Sequence, residues 1–234
     1  MHIYQQQQPR VCPLPISGPR TTTATPDSAG QVIESTLENT LSRLATAAVK
    51  RQQYPQALRL LSQLLERHPQ RAMHHSNRGL VQLRLGNPEA ALADCDLAVA
   101  LDPSLDQAYN NRAMCHAALG NLATAIDDYN RAVDLNPFNS RARINLGATL
   151  RQAGAFDSAL DCFDEALMFK QLPEFIYAER GRTYHLRGDW NCAMADYRRT
   201  LAAATTMTPG PQTQALVQRV QRYIAELVPQ QSCA

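Results

Sequence analysis

A chain of 234 residues, 44% apolar with a formal net charge of +2, is long enough to bury a sizeable core and too evenly charged to imply a nucleic-acid or membrane partner from the total alone. No run approaches the roughly 18 to 20 apolar residues that a membrane span needs, and no apolar signal core follows Met1. Six cysteines without a Cys-x-x-Cys pair or a disulfide-framework spacing predict reduced thiols and a cytoplasmic setting.

In chain order, residues 1–34 come first, with Gln5 to Gln8, five prolines and Thr21 to Thr23, a composition that buries too little apolar surface to order itself. A disordered arm is expected there. Arg10 and Arg20, with no acid before Asp27, give it a weak likeness to a transit peptide. Residues 35–207 are expected to form one domain built on an internal repeat. The pattern Leu85-Gly86-Asn87 followed by Ala91 recurs as Leu119-Gly120-Asn121 and Ala125, 34 residues later, and continues at Ala153-Gly154-Ala155 and Arg187-Gly188-Asp189. Units 38–71, 72–105, 106–139, 140–173 and 174–207 tile without a gap.

Within a unit, position 8 is small (Ala45, Gly79, Ala113, Gly147, Gly181), as is position 20 (Ala57, Ala91, Ala125, Ala159, Ala193). Position 24 is Leu61, Cys95, Tyr129, Phe163 or Tyr197. Positions 4, 8 and 11 share one helical face and positions 20, 24 and 27 another, which predicts two amphipathic helices per unit with a glycine turn between them. Pro69, Pro103 and Pro137 end the second helix. Unit one has Gln52 where the turn glycine belongs, and unit four displaces its proline to Pro173. Beyond Pro211, residues 212–228 place Leu216, Val220, Tyr223, Ile224 and Leu227 on one face, as expected of a helix capping the stack, with 229–234 left as a tail.

This pattern resembles the tetratricopeptide repeat (TPR), and the repeat style is similar to that of cyanobacterial and other bacterial TPR scaffolds. The resemblance implies an all-α fold, an α-solenoid of five helix-turn-helix units. It also implies a concave groove lined by the first helices, at positions 2, 5, 6, 9, 12 and 13.

Position 7 is Arg78, Arg112 or Arg180 in units two, three and five, and position 23 of the same units is Asp94, Asp128 or Asp196. Units one and four carry Leu44 with Leu60 and Leu146 with Cys162 instead. This covariation within one chain predicts three structural ion pairs between the helices of a unit. Groove position 6 reads Asn77, Asn111 and Asn145, with Asn110 beside the second. Amides donate and accept, so such a row can hold an extended peptide backbone, although polar positions simply facing water remain the plainer alternative. Arg43, Lys50, Arg84, Arg141, Arg151 and Arg182 oppose only Glu179 at groove positions, while Leu80 and Met114 supply an apolar floor. Asp96, Asp127, Asp134, Asp161, Asp164 and Glu165 fall on second helices.

The resemblance also bears on chaperones, whose terminal carboxylate some TPR domains clamp; only Asn111 and Arg141 match that residue set. No phosphate loop, His-Glu-x-x-His motif or nucleophile elbow occurs. His75 and His116 occupy packing positions, so no metal, cofactor or catalytic residue is expected. The expected function is a non-enzymatic scaffold that binds an extended acidic protein segment, in the manner of assembly factors for photosynthetic or other membrane complexes, which it would reach through a partner. RNA binding along the arginine-lined groove is the alternative, disfavoured by the scarcity of groove aromatics.

Overall fold

A computed structural model describes residues 26–231, with side chains from 32 to 227. They fall into two units. The first, up to Asn39, contributes the beginning of helix α1 (Pro26–Lys50). Residues 26–34, expected in the disordered arm, are therefore helical; residues 1–25 and 232–234 lie outside the described residues. Pro26 opens this helix at its first position, where its missing N–H costs no hydrogen bond, while the proline-rich composition belongs to what precedes it.

The second unit, from Thr40 on, carries the rest of α1, then α2 (Tyr54–Arg67), α3 (Ala72–Arg84), α4 (Pro88–Leu101), α5 (Asp106–Ala118) and α6 (Leu122–Leu135). It continues through α7 (Ser140–Gln152), α8 (Phe156–Met168), α9 (Pro173–Arg187), α10 (Trp190–Ala204) and α11 (Pro211–Gln231). Among the described residues every regular element is an α-helix, and consecutive helices pack antiparallel in pairs that stack as an α-solenoid. First helices of successive repeats touch directly, α3 on α5, α5 on α7 and α7 on α9.

The five turns within repeats share one hydrogen bond. The N–H of Gln53, Asn87, Asn121, Ala155 or Asp189 donates to the carbonyl five residues back, at 2.9–3.0 Å, which closes a Schellman turn around a left-handed residue. Gly86, Gly120, Gly154 and Gly188 take that conformation with φ between 82° and 97°. Gln52 occupies the same place at φ 60°, so the repeat that lacks the glycine keeps the turn and bears the side-chain strain. Gln52→Gly is expected to raise stability by about 1 kcal/mol; an unchanged urea midpoint would show that Gln52 rests there without strain.

Packing explains the alternation of small and large residues. The five alanines at position 20 are fully buried. A Cβ added to Gly147 would lie 2.7 Å from the Phe163 ring, and one added to Gly181 would lie 2.9 Å from Tyr197, so the glycines let the large partner onto the backbone of the first helix. At the carboxyl end Leu216, Val220 and Leu227 of α11 bury against Ala178, Ala193 and Tyr197, covering the last repeat.

Candidate peptide-binding groove

The three arginine–aspartate pairs come together as bidentate bridges between the helices of one repeat. Arg78 donates from Nε and Nη2 to Asp94 at 2.7 and 2.6 Å, Arg112 to Asp128 at 2.8 and 2.7 Å, and Arg180 to Asp196 at 2.7 and 2.9 Å. All three carboxylates are buried. Two of the arginines also reach backward, Arg112 to Asp96 and Arg180 to Asp164, so each links its repeat to the previous one. Hydrogen bonding to the carboxylate drives each guanidinium pKa up, against the downward pull of burial, which keeps each arginine charged. Repeat four replaces the pair by buried Leu146 and half-buried Cys162.

The groove itself is lined by first helices. A cleft of about 710 Å³ runs over Leu80, Arg84, Asn110, Asn111, Met114, Arg141 and Asn145 to Phe175 of α9. It continues into a second cleft of about 540 Å³ toward Lys50 and Asn77, sharing Leu80, Arg84, Gln107, Arg141 and Gln212 with the first.

The asparagine row does not stand free. Asn145 Nδ2 donates to Asn110 Oδ1 at 3.1 Å, Asn110 Nδ2 to Asn111 Oδ1 at 3.2 Å, and Asn111 Nδ2 to the Ser76 hydroxyl at 2.9 Å. This chain ties α7, α5 and α3 together across the groove floor. Asn111 is only 2% exposed, and the Asn110 and Asn111 amides brace first helices against one another while lining the cleft. Asn77 accepts from Gln107 at 3.0 Å, and among the described residues its Nδ2 donor and the Asn145 Oδ1 acceptor have no further partner. These two are half-buried and line the clefts.

The basic side chains divide likewise. Arg151 pairs with Glu179 at 2.8 Å and donates to its carbonyl, and Glu179 also receives Arg219 of α11 at 3.0 Å. Arg182 pairs with Glu226 at 2.6 Å and lies 4.4 Å from the Tyr223 ring centroid. An acid of α9 and one of α11 thus neutralise these two expected ligand-facing arginines, and sequence spacing does not place those acids beside them. Lys50, Arg84 and Arg141 are exposed, line the clefts and have no ion-pair partner among the described residues. Asp106, the acid in the larger cleft, accepts from Asn136 and Asn139 at 3.0 and 2.8 Å. The second-helix acids, Asp96, Asp127, Asp134, Asp161, Asp164 and Glu165, are exposed.

Sequence reasoning missed one feature of this site. Lys170 and Leu172, in the junction between repeats four and five, are non-glycine residues in the left-handed region, each with φ 52°, and Leu172 enters the cleft wall with Ile144 and Phe175. The displaced Pro173 was the visible signal, since it starts α9 and leaves the junction to be closed by those two residues. His75, a packing position, is buried and bonds the Pro69 carbonyl at 2.9 Å. No cluster of three or more potential metal ligands occurs among the described residues, and none of their helices is long and apolar enough to cross a membrane.

Stacked antiparallel helix pairs with glycine turns and a concave first-helix surface define an α-solenoid with a groove along its first helices. Family models described as tetratricopeptide repeat match residues 42–106, 107–139 and 140–167, and the chain belongs to that family. Its repeats serve protein–protein interaction, and its members are in general non-enzymatic scaffolds. The chain is similar to Hsc70-interacting proteins 1 and 2 of Drosophila melanogaster, at 34% identity over 65 residues; this is 28% of the chain but 17% of each relative's length. Among solved structures it resembles a thermophilic TPR protein of Thermus thermophilus, with a TM-score of 0.72 at 23% identity, covering 80% of this chain and 99% of that one. It also resembles pilF of Pseudomonas aeruginosa, with a TM-score of 0.63 at 19% identity, covering 82% and 86%. Both likenesses concern the fold.

Proposed function

We propose that this protein is a non-enzymatic scaffold whose groove captures an extended, acidic segment of a partner protein. The observation that carries the reading is the trio Lys50, Arg84 and Arg141, exposed cations that line one continuous concave surface, while Arg151 and Arg182 are neutralised from within. Concave walls concentrate the field of such charges and favour an anionic ligand. Asn77 Nδ2 and Asn145 Oδ1 supply one backbone donor and one acceptor, and Leu80 and Met114 an apolar floor. The likeness to Hsc70-interacting proteins supports a protein ligand, but the chaperone-terminus residue set is kept only at Asn111 and Arg141, and Asn111 is internally bonded. The repeat style supports a place in assembling a multi-subunit membrane complex, reached through the bound partner.

Fluorescence anisotropy with a capped, labelled Asp/Glu-rich decapeptide tests this directly. The joint variant Arg84→Gln/Arg141→Gln is expected to bind at least about tenfold more weakly at low salt, since two charge-assisted contacts are lost. Equal binding by both proteins, or tighter binding of a single-stranded oligoribonucleotide than of the peptide, would overturn the reading.

A further inference from the structure

The junction between repeats four and five departs from the others. After α2, α4 and α6 a proline follows within two residues of the helix end, whereas α8 runs into Phe169, Lys170, Gln171 and Leu172 before Pro173 opens α9. Left-handed backbone is unfavourable for a residue with a Cβ, and a branched leucine has no local hydrogen bond of its own to offset it. Such strain persists where surrounding structure imposes it and is concentrated at ligand-clamping positions. At Leu172 the surroundings are explicit: its carbonyl accepts from Phe175 and Ile176 at 3.1 and 3.2 Å, which starts α9, and its side chain becomes part of the larger cleft. There it lines the same cleft as Ile144, Phe175 and Arg141.

We infer that this apolar notch selects a second feature of the bound segment: an aliphatic or aromatic side chain placed about three residues from the acidic side chain held by Arg141. The inference rests on the proposed acidic-segment function and specifies its ligand. The spacing follows from the packing. Arg141 and Ile144 sit on α7, Leu172 and Phe175 at the start of α9, and neighbouring packed helices lie about 8–10 Å apart. An extended peptide advances about 3.3 Å per residue, so about three residues carry it from one first helix to the next. Charge complementarity fixes the acidic end at the unpaired Arg84 and Arg141; the notch, which offers no charged group, accepts an apolar side chain and rejects a charged one because it could not be solvated there.

The test is a positional-scanning library of capped octapeptides, read against wild-type protein, Leu172→Gly and Arg84→Gln/Arg141→Gln. Glycine adopts the left-handed conformation freely, so Leu172→Gly keeps the fold while removing the side chain from the cleft. Wild-type protein should enrich Asp or Glu at one position and Leu, Ile, Met or Phe about three away. Leu172→Gly should keep the acidic preference, lose the apolar one, and bind the best wild-type peptide about tenfold more weakly, the effect of exposing one buried aliphatic contact. Acidic enrichment without an apolar position, or equal affinity of wild-type and Leu172→Gly for that peptide, overturns this inference and leaves the acidic groove standing. Enrichment that Arg84→Gln/Arg141→Gln does not alter overturns both.

Discussion

Arg112→Met is expected to lower the stability of the solenoid by about 3–5 kcal/mol, because it leaves a buried carboxylate without a counter-charge. Asp128 is 6% exposed, and among the described residues its side-chain hydrogen bonds come from Arg112 alone. The equivalent losses in the other repeats should be smaller. Asp94 would keep Gln82 Nε2 at 3.1 Å and His75 at 3.4 Å, and Asp196 would keep Arg199 at 2.8 Å. Arg112 also spans repeats two and three through Asp96, so its removal loosens a stacking contact as well. The protein itself suggests the rescue. Repeat four fills the same two positions with Leu146 and Cys162, so Arg112→Leu combined with Asp128→Cys should lie within about 1–2 kcal/mol of wild type, since exchanging a buried ion pair for apolar neighbours is close to neutral. Urea unfolding, with hydrogen exchange at α5 and α6, measures both variants. A double variant as unstable as the single one would mean that the pair contributes more than mutual neutralisation.

Truncation after Met207 is the second large effect. It removes Leu216, Val220 and Leu227, each nearly or fully buried against the last repeat. At about 1.5–3 kcal/mol per aliphatic side chain, the upper-bound loss is about 5–9 kcal/mol. It also strips Glu226 from Arg182 and Arg219 from Glu179, turning Arg182 into an unpaired cation. The truncated protein should therefore melt lower, expose the Ala178–Tyr197 face and associate in solution. Light scattering gives the mass; a monomer with an unshifted melting temperature would show that α11 is an appendage and not a cap.

These two variants mark where local pattern and assembled structure part company. Helix pairs, glycine turns and the Arg–Asp bridges were legible because each depends on residues within one repeat: a 16-residue separation, seen three times and replaced twice by an apolar pair, is information the chain carries in its own register. The turn at Gln52 was legible in place but not in conformation, since a side chain can be forced into left-handed backbone only by the helices on either side.

The groove was legible as a set of positions, but not as a set of free groups. Whether an amide or guanidinium is available to a ligand depends on atoms close to a repeat or more away: Asn111 meets Ser76 across 35 residues, Arg151 meets Glu179 across 28, and Arg182 meets Glu226 across 44. The first separation recurs between Asn110 and Asn145, one residue beyond the repeat, but no period in the sequence encodes the two arginine meetings. They follow from the stacking of first helices and the return of α11, which neutralise Arg151 and Arg182, leave Arg84 and Arg141 exposed, and set Leu172 in the wall beside them. The sequence by itself determined the repeat, its helices and its internal bridges, because short-range periodicity decides which face of a helix is buried; only the tertiary structure decided which polar groups remain for a partner, because hydrogen-bond satisfaction is a property of atoms brought together by the stack.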